Sequence, residues 1–230
     1  MANVDEEKGS QLLHAVERIT DSPEKIKARV DDWKLAGGGR GQVVEEIIRY
    51  YSNASAVSGA ATTLPALIPG IGTLAYLATG PLADMVLLLK FEAEMCQALA
   101  YVHGYDIAKP EERQLAFLLA AVKTSEVSTG RFVLSDVGEA SLTAMWNYAP
   151  RRVSKLLVEV LAIVAVSTIT RKFFLAIPFI GMAVGAGMNK VLTGRVGKQA
   201  NDELELRARL LAQAAPAPLP AVEAPAAPQA

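Results

Sequence analysis

Apolar positions recur along this chain at three- and four-residue spacings, and nowhere in the alternating pattern of a half-buried strand. A short amphipathic stretch runs from Leu12 to Ile19. Ser22-Pro23-Glu24 then gives a hydroxyl cap, a proline at the first helical position and an acid in the first turn. That helix carries Ile26, Val30 and Trp33 on one face and stops at Gly37-Gly38-Gly39-Arg40-Gly41, a run that reads as a flexible linker. A further helix starts at Gln42 with Val43, Val44, Ile47, Ile48 and Tyr51. Gly80-Pro81 opens another, whose stripe of Leu87, Phe91, Met95 and Leu99 predicts its core face, and Gly104 supplies a left-handed cap. Lys109-Pro110 begins the next, through Leu115, Leu118, Leu119 and Val122. Val153 to Thr170 is a second apolar helix, and Asp202 to about Leu211 a charged terminal one. The pattern predicts an all-α fold, a single bundle of about seven to nine helices.

Two stretches are too apolar for ordinary surface helices. Ala54 to Leu89 holds one charge, Asp84, in 36 residues. Pro65, Pro69-Gly70, Gly72 and Gly80-Pro81 cut it into pieces of about ten residues, too short to cross roughly 30 Å of hydrocarbon. The second lies beyond Arg171-Lys172, where Phe173 to Met188 is uncharged and contains Pro178. Short helices broken by Gly and Pro, buried or dipping into an interface, are the expectation for both. Ile68-Pro69-Gly70-Ile71-Gly72 recurs as Ile177-Pro178-Phe179-Ile180-Gly181, which is either convergent helix-start chemistry or a sign of two pseudo-equivalent halves. Gly181 and Gly185 form a small-xxx-small pattern that permits close helix packing, in a membrane or out of one.

Charge sharpens the difference between the two stretches. The chain as a whole is near neutral, at −1, with a mean hydropathy of +0.25. That balance argues against a nucleic-acid binder. Between Pro150 and Gln199, however, eight basic residues face one acid, Glu159. A basic block on the most apolar stretch suits an anionic lipid surface. The candidate membrane contacts are therefore Arg171, Lys172, Phe173, Phe174, Ile177, Phe179, Lys190 and Lys198.

Candidate chemistry is sparse. The phosphate-loop reading of the glycine run fails, because it lacks a Gly-Lys-Ser/Thr ending and a preceding strand. Asp84 is the candidate buried polar residue, either dipole-favoured in a first helical turn or paired with a ligand or a distant cation. His14 and His103 are the only histidines and Cys96 the only cysteine. No cluster has metal-ligand spacing and no Gly-x-Ser-x-Gly elbow occurs, so no catalytic residue, metal or cofactor is expected. The lone cysteine fits a reducing compartment, and the acidic start Met1 to Glu7 has no apolar signal region, which together predict a cytoplasmic protein. Domain organisation reads as an N-terminal helical segment with its glycine linker at 1–41, a helical domain at 42–213 and a disordered Ala/Pro-rich tail at 214–230. That tail holds five of the 12 prolines.

Several segments in order carry a family resemblance: Leu64-Pro65 and Ile68-Pro69-Gly70-Ile71-Gly72-Thr73, Leu82-Ala83-Asp84-Met85, Tyr101-Val102-His103-Gly104-Tyr105-Asp106, Pro110-Glu111-Glu112-Arg113, Ile177-Pro178-Phe179-Ile180-Gly181, Asn189, and Gly194-Arg195-Val196-Gly197-Lys198-Gln199-Ala200. Together they resemble the EcsC family of bacterial proteins, whose relatives include helical domains attached to some GTPases. The resemblance implies a helical, membrane-associated accessory protein with no assigned activity. The family is named after a gene beside those of an ABC transporter, which implies a transporter as one partner. It implies no catalytic residues. The sequence expectation is thus a non-enzymatic protein on the inner face of the cytoplasmic membrane, peripheral or partly embedded. The alternative is a soluble helical domain that binds a hydrophobic ligand or a protein.

Overall fold

The computed structural model describes residues 2–61, 81–129, 156–162 and 181–214, with side chains described at 7, 9–56, 85–127, 156–162 and 187–213. Six helices run over Ala2–Ile19 (α1), Pro23–Leu35 (α2), Arg40–Ala61 (α3), Pro81–Val102 (α4), Pro110–Thr129 (α5) and Gly181–Ala214 (α7). Residues 156–162 form a further helical segment, α6. The fold is all-α: the described residues form seven helices and no strand.

Local chemistry sets the helix ends. Ser22 Oγ accepts a hydrogen bond from the Lys25 N–H at 3.4 Å, and Pro23 takes the first position of α2, whose own N–H would have been orphaned. α4 ends in a Schellman motif: the Tyr105 N–H donates to the Ala100 carbonyl at 3.0 Å and the Gly104 N–H to Tyr101 at 3.1 Å. Gly104 sits at φ +89°, a backbone state open to glycine at little cost.

The glycine run departs from expectation. It is a tight turn rather than a loose linker. Gly37 takes φ +93° and donates to Lys34, while Gly39 caps α3: its carbonyl accepts from Gln42 and Val43, and Gln42 Oε1 accepts back from the Gly39 N–H at 3.2 Å. This reciprocal cap draws Arg40 and Gly41 into the helix.

α4 is the centre of the molecule and packs against α1, α2, α3, α5 and α7. Its predicted stripe is too narrow. Met95 and Leu99 are fully buried, but so are Leu89, Cys96 and Ala98 on other faces, while Phe91 is only partly covered. A helix ringed by neighbours has no solvent face, so its polar residues go inside as well. α1 and α2 contribute Leu12, Val16, Ile26 and Val30 to the same core.

α7 also departs from expectation. It is one helix of 34 residues where separate pieces were expected, running unbroken through Gly187, Gly194 and Gly197. The reason is tertiary. A Cβ at Gly197 would lie 2.9 Å from both Ile48 Cγ1 and Met95 Sδ, so this glycine is a contact point for α3 and α4. A Cβ at Gly9 would likewise collide with the Val158 carbonyl, which brings α1 against α6. The recurrent Ile-Pro motifs, the broken apolar pieces and the tail from 215 lie outside the described residues.

Candidate membrane-facing surface and the polar layer beneath it

α3 and α7 make the most extensive helix pair, and the way they pack leaves one side of α7 uncovered. Thr193, Val196, Gly197 and Ala200 turn inward. Met188, Val191, Arg195 and Lys198 recur at three- and four-residue spacing and share the outward face, with Gly187 and Lys190 beside them. Met188 is 48% exposed and Val191 53%, high for apolar side chains in a protein that buries most of its others. None of Lys190, Arg195 and Lys198 forms an ion pair among the described residues.

The second half of α7 behaves differently. Arg207 grips Glu112 of α5 with both guanidinium arms, at 2.6 and 2.9 Å. Glu203 lies 3.8 Å from Lys123 and Glu205 3.5 Å from Arg209. The helix therefore carries unpaired cations with exposed apolar groups at one end and neutralised charges at the other.

Under the first half lies a polar layer between α3, α4, α5 and α7. At its centre Glu92 is fully buried. Thr193 Oγ1 donates to its Oε1 at 3.3 Å, and Thr124 Oγ1 contacts its Oε2. The Thr124 hydroxyl also reaches the Ala120 carbonyl at 2.7 Å. A hydroxyl has one proton, and a carbonyl can only accept. Thr124 therefore gives its proton to Ala120, and the proton in the Thr124–Glu92 contact belongs to Glu92. Burial without a cation drives the same way, pushing the Glu92 pKa up to about 8 against the pull of the Thr193 hydrogen bond. The carboxyl is neutral at physiological pH.

The layer continues with Ser52, 4% exposed, whose Oγ has no hydrogen-bond partner and lies 3.5 Å from where a Cβ at Gly194 would sit. The Ser55 hydroxyl donates to the Ser52 carbonyl at 2.9 Å and lies 3.4 Å from the Asn189 carbonyl of α7. Cys96, one turn beyond Glu92, is sealed in, and burial pushes its thiol far above the usual range. Such a thiol is unreactive.

At the opposite end of α4, His103 links two helices. Its Nε2 meets Asn201 Oδ1 at 2.9 Å and its Nδ1 meets an Arg40 guanidinium nitrogen. The donors assign the proton to Nε2. Burial lowers the imidazole pKa, and the Arg40 charge lowers it further. Among the described residues no group of His, Cys, Asp and Glu could hold a metal ion.

The family model of the EcsC proteins matches residues 6–210. The chain belongs to the EcsC family. No curated protein and no solved structure matches it. In this EcsC protein, Lys190 and Lys198 come together on the exposed face of α7. Asp84 stands in the first turn of α4 and Gly181 and Gly185 at the start of α7, but the surroundings of all three lie outside the described residues. So do Arg171, Lys172, Phe173, Phe174, Ile177 and Phe179. Among the described residues no helix is long and apolar enough to cross a membrane.

Sequence reasoning missed Met188 and Val191 as exposed residues, although their spacing with Arg195 and Lys198 was there to be read. Glu92 had no such signal, since Lys90 and Glu94 beside it look like an ordinary solvated pair.

Proposed function

We propose that this EcsC protein is a non-enzymatic accessory protein that docks on the anionic cytoplasmic face of the membrane through the first half of α7. The observation that carries this reading is the outward face itself: exposed Met188 and Val191 interleaved with unpaired Lys190, Arg195 and Lys198. Apolar groups of that size enter the boundary of the acyl chains, and cations at their flanks meet headgroup phosphates. The apolar, basic segment ahead of α7, with Arg171, Lys172, Phe173, Phe174, Ile177 and Phe179, extends the same chemistry. Three basic contacts at about 1 kcal/mol each amount to roughly a hundredfold in affinity.

Flotation with anionic and neutral vesicles tests the reading. The wild type should float with anionic vesicles at low salt, and a K190Q/R195Q/K198Q variant should lose about a hundredfold in partitioning. Failure of the wild type to bind anionic vesicles at low salt would overturn it. A second reading has support further along the helix. Leu206 and Leu211 are also exposed, but among neutralised charges that an anionic surface would not select. A protein partner, such as a transporter subunit, suits that part better.

A further inference from the structure

A cleft of about 410 Å³, lined by α1, α2, α4 and α5, opens between the α1–α2 corner and the first turns of α5, with α4 as its floor. We propose that it binds a small zwitterion, a molecule with a primary ammonium group and a carboxylate or phosphate a few bonds away.

Three observations converge. The first is at the floor. Gln97 lines the cleft and is 3% exposed, yet its side-chain carbonyl oxygen accepts no hydrogen bond. A buried amide oxygen left without a donor is destabilising, so it is a standing demand for an N–H or O–H from outside the protein.

The second is on the α5 wall. Arg113 is half-buried there, one face of the helix with Pro110, Gln114 and Phe117, and makes no ion pair among the described residues. A guanidinium in that state presents a fork for a carboxylate or phosphate.

The third is on the facing wall. Asp21 is already committed: burial opposes its ionisation, but Lys25 at 2.7 Å and Arg29 at 2.9 Å outweigh that and hold its pKa low. Glu17 is not. Its carboxylate is half exposed, with only His14 Nδ1 at 3.9 Å for a neighbour. The cleft thus has one available anion and one available cation on opposite walls, over an apolar floor that includes Ala93 and Phe117. A ligand of one sign would satisfy one wall and be repelled by the other. A zwitterion satisfies both, and its N–H groups also supply the donor that Gln97 lacks. The volume is that of a small-molecule site rather than a peptide groove.

Calorimetric titration of the full chain tests this with O-phosphoethanolamine and β-alanine, against ethanolamine alone and inorganic phosphate alone. The intact zwitterions should bind about tenfold more tightly than either half, and R113A and E17Q should each remove about tenfold. Q97M keeps the side-chain length. It should weaken binding severalfold while raising the melting temperature of the empty protein, a pairing that a purely structural glutamine would not give. E17Q changes a half-exposed group and stands as the folded control should R113A fail to fold. Zwitterions that bind no better than their halves, or binding unchanged in a folded E17Q or R113A, would overturn the proposal.

The same chemistry occurs in free metabolites and in phosphatidylethanolamine headgroups. Uncharged vesicles with and without phosphatidylethanolamine separate them, because such vesicles do not engage the cations of α7. Recruitment that R113A abolishes assigns the headgroup, and binding confined to the soluble compounds assigns a free metabolite.

Discussion

α4 and α7 pack against each other and come from the two glycine- and apolar-rich ends of the same sequence pattern, yet they treat their side chains in opposite ways. α4 is enclosed, and buries Glu92, Glu94 and Gln97 along with its leucines. α7 lies along one side, joins the bundle through a stripe that runs from Thr193, Val196, Gly197 and Ala200 to Leu204 and Arg207, and leaves Met188 and Val191 in the open. Position in the bundle, rather than mean apolarity, decides which residues are core. It follows that polar residues of α4 act inside the bundle, some at a cost to its stability, whereas apolar residues of α7 are available for contacts outside it.

Cutting a fully buried side chain of α4 should have the largest effect. Leu99→Ala should cost about 2–5 kcal/mol in urea unfolding, because the five helices around it cannot all collapse into the gap. A loss under 1 kcal/mol would mean that α4 is less enclosed than its burial indicates.

The next effect has the opposite sign. Glu92 is raised to about 8 in the fold and titrates near 4.5 when unfolded. Between those values the native state holds a proton that the unfolded chain has lost, so stability falls as pH rises through that window. The slope is about 1.4 kcal/mol per pH unit. Glu92→Gln removes the penalty and keeps the geometry, its amide donating to Thr124 while its carbonyl accepts from Thr193. The variant should match the wild type near pH 4.5 and exceed it by about 3 kcal/mol at pH 7. Equal urea midpoints for the two proteins from pH 5 to 8 would show that Glu92 is solvated.

A smaller loss is expected where the two helices touch. Gly197→Ala pushes a methyl group against Ile48 and Met95, and Met95 can give way only in part, so about 1–3 kcal/mol should be lost. The smallest effect is the sharpest test of the contrast. M188S/V191S should shift stability by no more than about 0.5 kcal/mol. The same double variant should reduce the fraction that floats with anionic vesicles, since its apolar insertion is gone.

How much of this was legible depends on the range of the interactions involved. Ser22-Pro23, Gly80-Pro81, Gly104 and Lys109-Pro110 mark helix ends because capping is a matter of four or five neighbouring residues, and the structure places the ends there. The all-α class followed from the same local signals. Glycine was the least legible residue. The Gly37–Gly41 run read as slack and is a turn capped by Gln42, nearby in sequence. Gly197 lies within one long helix against Ile48 and Met95, partners far away in sequence. The basic block pointed to Lys190 and Lys198. The spacing of Met188 and Val191 with Arg195 and Lys198 put them on one face, but it could not show that this face is open, because an uncharged run looks the same whether it is covered or not. Glu92 was illegible for a related reason: its two threonines come from α5 and α7, 32 and 101 residues away.

The pairing of α3 with α7 also has a consequence in time. Ser55 and the Asn189 carbonyl that lies 3.4 Å from its hydroxyl are 134 residues apart in the chain. At cellular synthesis rates of about 5–20 residues per second, the inward face of α3 waits on the order of 10 s for the helix that will cover it. Throughout that interval Ile48, Ser52 and Ser55 are without their final cover on a chain still attached to the ribosome. This protein therefore leaves synthesis with its largest seam closing last, and the period before closure is when chaperones or a nearby membrane would have the strongest claim on it.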